Sequence, residues 1–239
     1  MLLEFKNVAK TFPYEKFALI DDLSFSLEEN EVLGIVIEAQ WGKSTVAKLA
    51  SGLQPVSAGS VLLDGKPLSE TPPKERGLAV IFDDFALMKG KKFWVNAAYT
   101  LKIRGVRKAE RKAAAITALE RFGLHGKAEL KIKKHTPAEE KLAVSLARAS
   151  LRNFRLIIFD DTFSRVNYDA AKKLTSILTE GRNTAQMYLS SEVKDLSFCD
   201  RIVVVSNGKN VFSGNYGQAV EFVRETHCFD ALSGLAEAE

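Results

Sequence analysis

The sequence predicts an α/β fold: a core of buried strands with helices, an antiparallel β layer near the start, and an inserted helical subdomain. Three observations carry this. The stretch Glu31 to Gly52 reads E-V-L-G-I-V-I-E-A-Q-W-G-K-S-T-V-A-K-L-A-S-G, an apolar run of strand length (Val32 to Ile37) followed by a helical one (Ser44 to Leu49). A second short apolar run, Leu156 to Phe159, closes on the carboxylates Asp160 and Asp161. Between them, from Phe93 to Asn153, strand signal is sparse and apolar residues fall at helical spacing. The expected division is one domain over residues 1–239, its α/β core at about 1–88 and 154–239 and its helical subdomain at about 89–153.

Alternation from Leu2 to Phe12 and from Ala18 to Leu27 predicts two strands, joined by a turn at Pro13-Tyr14-Glu15-Lys16. After the Val32 strand and the Ser44 helix, Pro55, Ser57 and Gly59 mark a turn, Val61 to Leu63 a short strand closed by Asp64-Gly65, and Leu78 to Phe82 another strand. A helix is predicted from Lys108 to Leu124 with Ala113, Ile116, Leu119 and Phe122 as its apolar face and Gly123 as its stop. A second covers Ala138 to Leu151. The core resumes at Leu156, with a helix at Tyr168 to Leu178 and strands at Gln186 to Leu189 and Arg201 to Ser206. Asn207-Gly208 turns a hairpin into Asn210 to Phe212, and a helix runs from Asn215 to Thr226.

Composition narrows the function classes. The 239 residues are 46% apolar and 27% charged, the balance of an ordinary globular chain. A net charge of +4 permits contact with an anionic ligand or membrane surface, and without a dense basic stripe it predicts no nucleic-acid partner. No apolar run is long enough to span a bilayer, and M-L-L-E-F-K-N-V lacks the pattern of a secretory signal. Cys199 and Cys228 are too few for a disulfide framework, which predicts a reducing cytoplasm.

Gly42-Lys43-Ser44-Thr45 sits between strand and helix, where backbone N–H groups and the helix N-terminus point at an anion and a lysine adds full charge. The pattern G-x-x-x-x-G-K-[ST] asks for glycine where Ile37 stands. Ile37 and Trp41 would strain a loop that needs positive φ, and Glu38 would repel a polyphosphate. Trp41 is expected to plug the space that glycine backbone would leave. Asp160, at a strand end, suits a carboxylate that holds Mg²⁺ together with the Ser44 hydroxyl, and Asp161 suits one that orients an attacking water.

Taken together, the chain from Leu3 to Gly214 resembles the ABC transporter ATPase family, with its P-loop NTPase core. The segment ending W-G-K-S-T is similar to Walker A, I-F-D-D-F-A-L-M to the Q-loop region, S-L-A-R-A-S to the helix behind the signature motif, L-I-I-F-D-D-T-F-S to Walker B, and D-R-I-V-V-V-S-N-G-K to the closing hairpin. The resemblance implies ATP and Mg²⁺ as cofactors, with Gln40, Trp41, Gly42, Lys43, Ser44 and Thr45 around the phosphates. It puts Phe12 at the adenine-stacking position, Asp83 at the Q-loop position, and Ser44 and Asp160 on the metal. It also implies transmembrane permease subunits, a second ATPase subunit joined head to tail, and a peripheral place on the cytoplasmic face of the membrane.

The departures are systematic. The signature position falls on Thr136-Pro137-Ala138-Glu139-Glu140, the switch histidine on Ser191, the D-loop aspartate on Asn167, and the catalytic glutamate on Asp161, shorter by roughly 1.5 Å. Three readings result: a degenerate transporter ATPase subunit paired with a second one, a slow ATP hydrolase using Lys43, Ser44, Asp160 and Asp161, or a soluble ABC protein acting away from membranes. By resemblance, Thr100 to Arg111 leans towards uptake, and Phe82, Asp84, Phe85 and Met88 line a groove for a membrane subunit. The residues alone suggest core packing for Phe82 and loop surface for the other three. The basic residues Lys102, Arg104, Arg107, Lys108, Arg111, Lys112, Lys131, Lys133 and Lys134 read as a solvated helical face or as a contact for lipid headgroups.

Overall fold

The computed structural model describes residues 1–13, 19–38, 42–181 and 183–226. In chain order its elements are β1 (Leu3–Lys10), β2 (Ile20–Leu27), β3 (Val32–Ile37), α1 (Lys43–Ser51), β4 (Ala58–Leu63), β5 (Lys66–Pro67), β6 (Leu78–Ile81), α2 (Phe93–Ala97), α3 (Tyr99–Ile103), α4 (Lys108–Arg121), α5 (Ala138–Ser150), β7 (Leu156–Asp160), α6 (Tyr168–Thr179), β8 (Ala185–Ser190), β9 (Arg201–Ser206), β10 (Lys209–Gly214) and α7 (Tyr216–Thr226). They fall into two compact units. One holds Met1–Val80, Arg155–Asp161 and the chain from Thr184 onward; the other holds Ile81–Phe154 and Thr162–Asn183.

The strands make a four-stranded antiparallel sheet, β2-β1-β4-β5, and a six-stranded one, β10-β9-β3-β8-β7-β6. In the larger sheet β9, β3, β8 and β7 run parallel, and β10 turns back on β9. Parallel strands covered on both faces read as unbroken apolar runs, which is why Val32–Ile37 and Arg201–Ser206 emerge with the bounds expected from sequence. Gly34 sits mid-strand because a Cβ there would meet Leu196 Cδ1 at 3.0 Å and Cys199 Sγ at 3.1 Å. The short 3₁₀ turn Val193–Leu196 can therefore lie close over β3. Phe159 and Tyr188, register partners on β7 and β8, stack with ring centroids 4.3 Å apart.

Ile37, expected to be strained, is the last residue of β3 and does not enter the left-handed region. The strand simply continues through the position where the motif would have glycine. Residues 14–18 and 39–41 lie outside the described residues, so the turn expected before β2 and the role expected of Trp41 do too.

In the second unit, α2 to α6 pack around Leu119, Leu142 and Leu146. The buried face of α4 is Ala115, Ala118, Leu119 and, at its C-cap, Phe122, whereas Ala113 is exposed and Ile116 only half-buried. The expected stripe was rotated because successive alanines barely distinguish one helix face from the next. Gly123, at φ +77°, ends the helix as expected.

Candidate functional site

The larger sheet brings its chemistry together by strand order. β3, β8 and β7 are consecutive and parallel, so the loops at their C-terminal ends open at one edge, the usual crevice of an open α/β sheet. Lys43 comes after β3, Ser191 after β8 and Asp161 after β7. β8 lies between β3 and β7, and this brings Ser191 into the site.

Lys43 is buried, and its Nζ lies 2.9 Å from Asp161 Oδ2 while donating a 2.9 Å hydrogen bond to Ser191 Oγ. Asp161 was expected to orient water. Here it neutralises the lysine instead, and its backbone stands at φ +51° with its N–H donating to Leu189 O. Ser191, expected at the switch-histidine position, is the second acceptor of the ammonium. Beside them Ser190 Oγ donates to Asp195 Oδ2 at 2.8 Å. Burial pushes the Asp195 carboxyl above its usual range, and the charges of Glu192 and Asp161 push the same way. No local spacing marked Asp195; only the turn after β8 carries it to the site.

Helix α1 opens at Gly42, whose left-handed backbone (φ 83°, ψ 30°) leaves no room for a side chain: a Cβ would meet Leu19 Cδ2 at 2.8 Å. The first turn has neither a side-chain cap nor an acidic residue. Its leading N–H groups, with half-buried Ser44 and buried Thr45, form an end that attracts anions. Asp160 is fully buried at the end of β7. An uncapped helix N-terminus, a hydroxyl and a buried carboxylate at one sheet edge fit a phosphate carrying a divalent cation. The Lys43 charge is already committed inside the protein.

The other expected site residues are more dispersed. Phe12 is half-buried with Lys10 Nζ 5.3 Å from its ring centroid, so a cation occupies the ring. Lys10 is itself anchored on Pro55 O at 2.8 Å. Asp83 pairs with Arg165 at 2.9 Å. Gln40 and Trp41 lie outside the described residues. Phe85, expected on a loop surface, is buried at φ +62°, and Arg148 donates to the carbonyls of Phe85 and Ala86. The Glu139 and Glu140 carboxylates occupy the first turn of α5, with Lys127 2.7 Å from Glu140.

Comparison with known proteins decides the family. The sequence profile of the ABC transporter family matches residues 20–164. The chain belongs to the ABC transporter family. Among curated members, it is 27% identical over its whole length to the Fe(3+) ions import ATP-binding protein FbpC of Streptomyces avermitilis, covering 71% of that protein. It is 30% identical to the sn-glycerol-3-phosphate import ATP-binding protein UgpC of Bordetella avium, over 86% of this chain and 58% of that one. The chain spans less than two thirds of several such relatives, including 64% of the spermidine/putrescine import protein PotA of Aggregatibacter actinomycetemcomitans. In fold it is similar to a dimeric ATP-binding cassette solved in a post-hydrolysis state with ADP and phosphate. That match has a TM-score of 0.79 at 18% identity, covering 90% of this chain and 99% of that one. An Atm1-family ABC exporter with ATP bound gives a TM-score of 0.80 at 18% identity, over 99% of this chain and 42% of that one. The family's ABC ATPase domain fold is therefore the fold of this chain. No helix among the described residues is long and apolar enough to cross a membrane.

Proposed function

We propose that this chain is a nucleotide-binding subunit of a membrane transporter with impaired catalysis, working beside a second ATPase subunit and permease subunits on the inner face of the membrane. The observation that carries the reading is the closure of Lys43 on Asp161 and Ser191, each at 2.9 Å. A polyphosphate must displace a carboxylate before it gains the lysine. Where the family uses its signature motif, Glu139 and Glu140 open α5 with negative charge, which opposes a partner's γ-phosphate. The names of the relatives, all import proteins in the three cases above, support uptake over export.

In this reading the first turn of α1 with Gly42, Lys43, Ser44 and Thr45 holds phosphate, Ser44 and Asp160 hold Mg²⁺, and Phe12 offers its ring to adenine. Bound Mg-ATP would supply an activated phosphoryl group. The second reading, slow hydrolysis, is favoured by the buried carboxylate Asp160 and the uncapped α1. Measuring Mg-ATP affinity and turnover of the full chain beside a Lys43→Ala control separates the two. The impaired reading expects weak binding and turnover that Lys43→Ala leaves unchanged. Turnover abolished by that substitution would establish the slow enzyme.

A further inference from the structure

The basic residues of the second unit divide once their partners are known. Arg107 pairs with Glu110, Lys127 with Glu140, and Lys92 and Lys112 share Glu129 at 2.6 and 2.7 Å. Between two lysines, Glu129 is held down to about 2. Among the basic residues left without a carboxylate partner, which include Lys102, Arg104 and Lys108, one set is drawn together by the backbone. Backbone pairing zips residues 90–94 onto 128–132: Gly90 N–H donates to Ile132 O (2.8 Å), Ile132 N–H to Lys91 O (2.9 Å), Phe93 N–H to Leu130 O (2.8 Å) and Trp94 N–H to Ala128 O (3.1 Å). Lys92 and Lys131 face each other as an antiparallel bridge. The two lysine groups of the sequence, K-G-K-K at 89–92 and K-I-K-K at 131–134, thus become one ribbon.

The side chains of the ribbon are sorted. Phe93, Trp94 and Ile132 are buried beneath it. Fully buried Asn96 accepts from Met88 N–H at 2.8 Å and donates to the carbonyls of Met88 and Lys92, fixing the turn from below. Lys131 and Lys133 are exposed on either side of buried Ile132. Lys89, Lys91, Lys131, Lys133 and Lys134 are exposed, and none has a carboxylate partner among the described residues. Lys131 and Lys133, two residues apart in the chain, have Cα atoms no more than about 7 Å apart, inside the screening length at physiological salt, so they repel. Like charges opposite one another also weaken strand pairing. Folding alone gains nothing from this arrangement. An anionic partner would.

We propose that this ribbon is a docking surface for an anionic lipid membrane. The chemistry favours lipid over nucleic acid. The five unpaired cations of the ribbon are lysines, hydrated point charges suited to a diffuse anionic surface, with no arginine fork among them for bidentate readout. The ribbon exposes no aromatic ring on which a base could stack, since Phe93 and Trp94 are buried. It does expose Leu130, 52% accessible, an aliphatic side chain set among the lysines where it would enter the headgroup layer. The inference rests on this ribbon and is independent of nucleotide binding.

The test is sedimentation of the full chain with vesicles of phosphatidylcholine alone, or with about 30% phosphatidylglycerol. Binding is expected only to the anionic vesicles and should be released by about 0.5 M salt. Lys131→Ala/Lys133→Ala/Lys134→Ala should weaken it about a hundredfold, whereas Lys6→Ala/Lys66→Ala/Lys74→Ala, with the same loss of net charge, should change it less than about fivefold. Leu130→Ser, which leaves every charge in place, should weaken it by about a factor of five. Equal losses in the two triple variants would overturn the proposal in favour of non-specific attraction. Equal binding to both vesicle types would sink it outright, as would displacement from vesicles by a short duplex DNA that binds the ribbon more tightly.

Discussion

Replacing Asp161 by asparagine should make the chain bind Mg-ATP more tightly, although it removes a residue from the crevice. The Lys43–Asp161 pair is 2.9 Å apart with side chains 9% and 21% accessible, between a surface bridge and a buried one. At an effective dielectric constant of about 20 the bare attraction is about 6 kcal/mol. Desolvation offsets most of it, leaving a net value of about 1–3 kcal/mol by comparison with surface and buried pairs. A phosphate that recruits Lys43 forfeits that net term and also meets the carboxylate it displaces. Asparagine abolishes both penalties, and it tolerates the left-handed backbone at φ +51° that alanine would resist. The expected gain is about 1–2 kcal/mol, or about 5- to 30-fold in Kd, measured by titrating a fluorescent ATP analogue with Mg²⁺ at fixed salt. The protein without nucleotide should lose stability, because Lys43 keeps only Ser191 and a neutral amide. An unchanged or weaker affinity in Asp161→Asn, with Lys43→Ala still reducing binding, would refute the idea that this pair restrains the site.

Three further outcomes are expected. Gly42→Ala should lower thermal stability by about 1–3 kcal/mol, since φ is +83° and the new Cβ would press on Leu19 Cδ2 at 2.8 Å; a calorimetric scan measures it. Asp195 has a raised native pKa, so the folded state holds its proton more firmly than the unfolded one and stability falls as pH rises above 3.8 through the native value. Asp195→Asn, which can still accept from Ser190, should flatten that fall, seen by comparing urea midpoints at about pH 4 and about pH 7. Glu129 is the opposite case: its pKa is lowered to about 2, so its contribution is present above 4.5 and is lost as pH falls towards 2. Glu129→Gln should remove that acid dependence and, by freeing Lys92 and Lys112, strengthen sedimentation with anionic vesicles.

The strands of the larger sheet were legible because burial on both faces selects β-branched and aliphatic runs, whichever loop or helix comes after them. β4 was legible only in part. Its first residues, Ala58, Gly59 and Ser60, carry no strand pattern: β1 pairs with Ser60 opposite Lys6 and with Ala58 opposite Ala9, across a register shift at which Gly59 takes φ +73°. In the site, Lys43 and Asp160 could be found from local chemistry, Lys43 at the helix start that follows one apolar strand and Asp160 at the C-terminal end of another. The partnership of Lys43 with Ser191 could not. The two are 148 residues apart and meet only because β8 lies between β3 and β7, an order that no spacing encodes. The same holds for Phe85, which is buried although its sequence neighbours Asp84 and Ala86 are exposed, and whose carbonyl accepts from Arg148 on α5, 63 residues away.

The two lysine settings of this chain are governed by one rule with opposite results. Lys43 is buried, so its charge had to be met inside the protein, and Asp161 meets it at the expense of any phosphate that would do so from outside. The ribbon lysines are exposed, so water alone could satisfy each of them singly, as it does for a lysine as isolated as Lys66. Their crowding is the difference. Five like charges on and beside one backbone-paired strip raise the local potential, and the buried Asn96 and Ile132 anchor it. A repulsion that the fold holds in place is relieved only by charge brought from elsewhere. Protein stability should therefore rise when anionic vesicles are added at low salt, and the rise should vanish in Lys131→Ala/Lys133→Ala/Lys134→Ala, where the crowding is already gone.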